Sequence, residues 1–277
     1  MSAPLRSFAL LAAALLCAGP LGASPAAAQE EEESKSKPEV AEVDGRDFIG
    51  TIMLGVRNKP AYFGATDRRF GPAVDLRVDF LRLPGGLEFG STRSVGFTQG
   101  FGLVGSARYI RPRTSSNYKE IQGLENVDRA LELGFGAGYE QESWRAFGSV
   151  RYAVLGYNSW TGTLGADAIS RPSDSLILNM GPRLQFGDQR FMSTYFGVTG
   201  EESVASGMAP YDPTGGLASV GVVLNAEYAF TSRWGLQAAA TYDRLVGEAA
   251  GSPITERGSA DQFGVMLGVT RQISLDF

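Results

Sequence analysis

Histidine is absent from all 277 residues. The side chain that most often serves as general base and metal ligand near neutral pH is therefore missing. Ser–His and Cys–His nucleophile systems are excluded, and so are zinc sites that use an imidazole. Cysteine occurs once, at Cys17. Past the N-terminus there is no run of 18 apolar residues, so no transmembrane helix is expected. Mean hydropathy is −0.08. Net charge is −5, which argues against a nucleic-acid partner.

Residues 1–28 read as a secretory signal peptide. Arg6 supplies the positive start, Phe8 to Leu16 the apolar segment, and Ala26-Ala27-Ala28 a small-x-small cleavage site before Gln29. The apolar run is too short for a membrane anchor. A lipidation signal would want a small residue where Leu16 precedes Cys17. Cleavage leaves 249 residues with no cysteine and a net charge of −6, so disulfides and thiol chemistry are excluded. Residues 29–45, QEEEESKSKPEVAEVDG, are charged and poor in large apolar residues. They read as a disordered acidic tether in the periplasm. Residues 46–277 form the remaining domain.

What is present is a period of two. In the last segment Phe263, Val265, Leu267, Val269, Arg271, Ile273, Leu275 and Phe277 occupy one parity. Gly264, Met266, Gly268, Thr270, Gln272, Ser274 and Asp276 occupy the other. Similar alternation recurs through 74–80, 131–139, 176–186, 220–230 and 234–242. Such segments are long, rich in glycine (36 residues in the chain), and carry charges of both signs opposite the apolar face. This pattern predicts an all-β fold, a closed antiparallel transmembrane β-barrel whose strands hide from hydropathy. The expected strands are 48–58, 73–83, 87–93, 101–110, 130–140, 144–155, 161–169, 175–186, 191–199, 218–230, 233–246 and 262–277. That makes twelve, with ten as the alternative. Counting back from the end puts 200–217 and 247–261 outside, and the turns at 187–189 and 231–233 inside. The same count puts 111–129 on the periplasmic side. Tyr139 with Trp144, and Tyr228 and Phe230 with Trp234, are expected in an interfacial girdle. The terminal aromatic Phe277, with the stripe of Phe263, Val265, Leu267 and Val269, is the expected signal for the barrel assembly machinery. Outer-membrane lipid and lipopolysaccharide are the expected surroundings.

The expected lumen charges are Asp75, Arg77, Asp79, Arg108, Glu132, Arg145, Arg151, Arg183, Glu227, Asp243 and Arg271. With acids and bases mixed, they read either as a salt-bridge network filling the barrel or as the lining of a solute path. Asp75 and Asp79 lie roughly 13 Å apart on one strand face, too far for a shared acid–base site. Gly134, Gly136 and Gly138 sit inside a strand, the wrong context for a nucleotide loop. No catalytic, cofactor or metal residue is expected.

The stretch STYFGVTGEESVASGMAPYDPTGGLASVGV, the following WGLQAAATYDRLVGEAAGSPITERGSADQFGVMLGV and the terminal aromatic resemble the MipA/OmpV family of outer-membrane proteins. The matching positions are Tyr195, Phe196, Gly197, Val198, Ser206, Gly207, Tyr211, Trp234, Tyr242, Leu245, Ala249, Ser252, Pro253, Ile254, Gly258, Ser259 and Gln262. Near the start, the segment Pro60 to Asp67 resembles the family's P-x-Y-x-G-S-D stretch at Pro60, Tyr62 and Gly64, with Ala65-Thr66 departing from its usual polar pair. Residues 85–190 match only by pattern, and the acidic tether lies outside the family pattern. The resemblance implies a non-enzymatic barrel acting as a scaffold that joins a murein hydrolase and a murein synthase. Other members imply a porin-like channel or an adhesin.

Overall fold

An extended chain points alternate side chains to opposite faces, and that rule organises the structure. The computed structural model describes residues 47–83, 87–90 and 100–276. The calls on residues 1–45 and on Phe277 lie outside these. Eleven strands follow in order: β1 Phe48–Pro60, β2 Arg68–Leu83, β3 Leu87–Gly90, β4 Gly100–Ile110, β5 Ala130–Glu140, β6 Trp144–Leu155, β7 Trp160–Ser173, β8 Leu176–Gly187, β9 Gly216–Ala229, β10 Trp234–Leu245 and β11 Asp261–Leu275. Short helices interrupt the connections: α1 Gln189–Phe196, α2 Gly200–Ser206, α3 Gly247–Ala250 and α4 Pro253–Arg257. Among the described residues no helix is long and apolar enough to cross a membrane.

The strands make one antiparallel sheet in the order β3-β2-β1-β11-β10-β9-β8-β7-β6-β5-β4. The first and last strands are zipped together from Phe48↔Leu275 to Asn58↔Val265. The two ends of the ladder, β3 and β4, approach each other, and Arg111 beyond β4 donates to the Phe70 carbonyl of β2 at 3.3 Å. The sheet is thus curled into a barrel. Arg77 of β2 reaches Glu227 of β9 across the interior at 3.2 Å. Pairing within the sheet satisfies the backbone of most strands on both sides, as crossing hydrocarbon requires.

Parity separates the faces as expected. Phe263, Val265, Leu267 and Val269 are between 42% and 55% exposed, with Leu54, Val56, Val74, Phe135, Leu164 and Leu224 also exposed around the wall. The opposite parity holds buried Met53, Glu132, Arg151, Asp167, Asn179 and Asn225. Small residues are needed where inward side chains crowd. A Cβ on Gly268 would lie 2.3 Å from the Met53 sulfur, and one on Gly221 would lie 2.3 Å from Asp243 Oδ1. The outward aromatics gather at two levels. Tyr139 and Trp144, with ring centres 5.8 Å apart, mark one end. Tyr152 and Trp160, at 5.0 Å, mark the other.

Two expectations are corrected by one element. The segment 191–199 is not a strand, because α1 occupies most of it. Its buried residues are Phe191, Met192, Tyr195 and Phe196, a spacing of one, three and one that fits a helical stripe. Removing this strand reverses the sidedness of everything before it. Segment 111–129 therefore lies at the same end as 188–215 and 246–260, called here the loop end, not at the turn end. The turn after Gly187 is likewise at the loop end and leads into α1.

The outward row makes one clear prediction. Leu267→Arg places a charge in the lipid-facing wall and is expected to cost about 2–4 kcal/mol near mid-membrane. Urea titration of folding into lipid vesicles measures it; an unchanged midpoint would overturn the facing assignment.

Candidate functional site

The loop end carries a folded cap, and most of the positions that resemble the family meet there. Each helix start is fixed by local chemistry. Asp188 caps α1, accepting from Phe191 N at 3.0 Å and from Trp160 N at 2.9 Å. Thr199 and Glu202 form a reciprocal capping box at α2, with bonds of 3.2 and 2.8 Å. Gly207 ends α2 in the left-handed region at φ 68°, where only glycine is free of Cβ strain. Ser252 caps α4, and Pro253 takes its first position.

Tertiary bonds then tie the segments together. Ser252 Oγ donates to the Phe196 carbonyl at 2.6 Å. Glu202 Oε1 accepts from Glu125 N at 2.8 Å, joining α2 to segment 111–129. Arg113, 4% exposed, donates to the Tyr195 carbonyl at 3.1 Å. Arg257 donates to the carbonyls of Ser206 and Gly207 at 3.2 and 3.0 Å. Ser206 Oγ donates to the Glu202 carbonyl at 2.6 Å, and Tyr211 Oη to the Glu248 carbonyl at 2.8 Å. Gly64 turns with φ 88° so that its carbonyl accepts from Ser259 N at 2.8 Å. A Cβ on Gly258 would lie 1.9 Å from that same oxygen, and one on Gly197 would lie 2.4 Å from the Ser193 carbonyl. Gln262 Nε2 donates to the Ser259 carbonyl at 2.7 Å. Pro60 closes β1 just before this turn.

Two apolar clusters fill the cap. Tyr62, Ala65, Ile121, Leu124, Val198, Met208 and Ile254 form the upper one. Phe191, Met192, Tyr195 and Phe196 join Ile110, Ala130, Ala218, Leu245 and Ala249 in the lower one, where Phe63 and Tyr157 stack edge-on against the helix aromatics.

Directly beneath lies the most enclosed charge group. Glu132 is fully buried. It accepts from Arg108 at 2.8 and 2.5 Å, from Arg151 at 3.0 Å, from Thr161 at 2.9 Å and from Tyr157. Arg108 also lies 5.7 Å from the Phe191 ring centre. A second group joins Asp167 to Arg145 and Arg183, each at 2.7 Å, with both guanidinium groups over Phe147. Asp167 was missed in the sequence although Thr161, Thr163, Gly165 and Asp167 alternate. Arg77 and Glu227 form a third pair. Asp243 faces the interior against Gly221, and Asp75 pairs in register with inward Met53. The Asp79 side chain lies outside what is described. Arg271 is a correction: it keeps the outward parity, and its guanidinium rests over the exposed Trp234 ring at 5.0 Å. Among the described residues no acidic cluster could hold a metal.

The cap has its own titration. Burial, then Glu120, pushes the Tyr62 phenol up to about 12. Burial, then the Glu248 hydrogen bond, pushes Tyr211 to about 12. Burial alone would raise the Asp188 carboxyl, but hydrogen bonds from Ser159, Trp160 N–H and Phe191 N–H outweigh it and hold it below the usual range. A raised phenol pKa means stability that is full below about pH 10 and lost as pH climbs toward 12. The cap is therefore expected to loosen in that window. Absorbance at 295 nm checks it: ordinary ionisation of every tyrosine near pH 10 would contradict the burial. Glu132→Gln leaves buried Arg151 and half-buried Arg108 without their countercharge, and a loss of about 3–5 kcal/mol is expected in thermal or urea unfolding.

Several solved structures are similar to the chain over most of its length. The translocator domain of autotransporter NalP from Neisseria meningitidis is 10% identical with a TM-score of 0.43, covering 84% of this chain and 90% of that one. An outer membrane channel from Pseudomonas putida F1 is 14% identical with a TM-score of 0.39, covering 86% and 99%. The N-terminal β-barrel domain of Pseudomonas aeruginosa OprF is 9% identical with a TM-score of 0.27, covering 83% and 99%. No curated protein matches the chain. The model of the family described as MltA-interacting protein MipA matches residues 52–273. This outer-membrane β-barrel belongs to the MipA family.

Proposed function

We propose that the chain is a non-enzymatic scaffold of the outer membrane, exported by cleavage of residues 1–28 and joined to a murein hydrolase and a murein synthase. The observation that carries this reading is the cap. Its apolar clusters and internal hydrogen bonds close over the Glu132 group at the loop end. A barrel built to pass solutes has reason to keep that end open; a barrel built to hold partners does not. The loop end faces outward in this reading, and the partners meet the turn end. There a cleft is lined by Arg77, Glu227, Arg233, Trp234 and Gln272, and the acidic segment 29–45 precedes β1 in the sequence. The family's printed name, MltA-interacting protein, supports a murein-hydrolase partner. The absence of histidine supports a non-enzymatic role.

Two measurements test the proposal. Purified mature protein in detergent is expected to capture a purified murein hydrolase, and more weakly after deletion of 29–45. Absence of capture by the intact mature protein removes the scaffold reading. In planar bilayers the same protein is expected to give no discrete conductance steps. Regular single-channel steps would favour the rival reading of a charge-lined solute path.

A further inference from the structure

Three groups of lumen charges are matched acid to base; one patch of cations is not. Arg57 and Lys59 lie on β1 at the parity of buried Met53, and so face inward. Lys59 stands directly opposite Arg69 of β2. Arg57 stands opposite Gly71, and the Arg111 side chain lies over that glycine. A Cβ on Gly71 would fall 1.4 Å from Arg111 Nη2. Four cations thus share one inward surface near the loop end. Like charges directly across a strand pair are destabilising, and a partly buried surface screens them poorly.

The surroundings do not relieve this. The charges acting on Lys59 are Arg57, Arg111 and Arg108, all cationic. Arg108 is already engaged by Glu132. Arg111 spends one nitrogen on the Phe70 carbonyl, a neutral acceptor. Arg57 Nε is buried with no hydrogen-bond partner among the described residues. Three of the inward acids are engaged elsewhere: Glu132 with Arg108 and Arg151, Asp167 with Arg145 and Arg183, and Glu227 with Arg77. Elsewhere in this lumen a guanidinium is given a carboxylate; among the described residues no carboxylate pairs with these four cations.

We propose that Arg57, Lys59, Arg69 and Arg111 form a binding site for a phosphate-bearing solute inside the barrel. Guanidinium forks fit phosphate oxygens with paired hydrogen bonds, and the lysine adds a mobile point charge. A dianion is favoured over a single carboxylate because it meets more of the charge. The inward facing selects a dissolved ligand; a membrane lipid would meet the outer wall, where Arg271 and Trp234 stand. The inference goes beyond the scaffold reading and does not depend on it.

The test uses the full mature protein in detergent, inorganic phosphate as probe, and constant ionic strength set with sodium chloride. Isothermal titration is expected to give saturable binding of about one phosphate per chain. The double variant R57Q/K59Q is expected to weaken it by about tenfold or more, while R271Q leaves it unchanged. Removing like charges relieves repulsion, so the double variant is expected to melt no lower than the parent in the absence of phosphate. Heat-shifted migration on gels verifies that each variant is folded. Phosphate heats that never saturate, or equal weakening by R271Q, would overturn the site. A lower melting temperature of R57Q/K59Q without phosphate would assign those cations a structural role and overturn it as well.

Discussion

Pairing of the backbone from strand to strand is the constraint from which the remaining structure follows. In hydrocarbon an unpaired N–H or C=O has no water to turn to, so every strand needs a neighbour on each side. The pairing of β1 with β11 over eleven register positions provides this for the two ends of the chain. Once the ladder is closed, each residue has only two destinations, lipid or lumen, and its parity decides which. The glycines at 221 and 268 are consequences of that choice, since a Cβ there would meet the inward side chains of Asp243 and Met53, while at 55 and 134 it would meet the backbone of the next strand.

The lumen answers a second constraint. A charge inside a closed wall is costly unless it is paired and hydrogen-bonded. The Glu132 and Asp167 groups meet this with two guanidinium groups each, and hydroxyls fill further acceptor sites on Glu132. The cap then covers one end with aromatic side chains, which leaves these ion pairs in a less watery setting and strengthens them. Polar groups beneath and apolar clusters above thus support each other: Tyr157 belongs to both, with its ring on Phe191 and its hydroxyl on Glu132.

Much of this was legible before any coordinates. Period-two alternation is a direct imprint of facing, so the strand positions and the outward stripe at 263–269 emerged from the sequence nearly unaltered. The strand expected at 191–199 and the sidedness of 111–129 did not. Both failed at 191–199, where large apolar residues alternate loosely with small polar ones and satisfy either period over so short a span. The deciding signals were local: Asp188 ahead of Phe191, Thr199 ahead of Glu202, and Ser252-Pro253 each mark a helix start. Arg271 failed differently, since a charge in an apolar row near a strand end belongs at the interface beside an aromatic, and the row itself said so. The motif residues were found by resemblance, but their common destination was not; nothing in spacing tells that Gly64, Ser206 and Gly258 meet, because that depends on barrel closure.

The cap draws its contacts from positions as far apart in sequence as Tyr62, Ile121, Val198 and Ile254, whereas nearly every strand pairs with its neighbour in the chain. These are two different kinetic problems. Hairpin pairing closes short loops and proceeds early; contacts spanning most of the chain wait until their ends have been brought together. Gly64 and Ser259 become neighbours only when β1 has zipped to β11. A formed cap is therefore a late event in assembly, and its presence certifies that the barrel around it has closed.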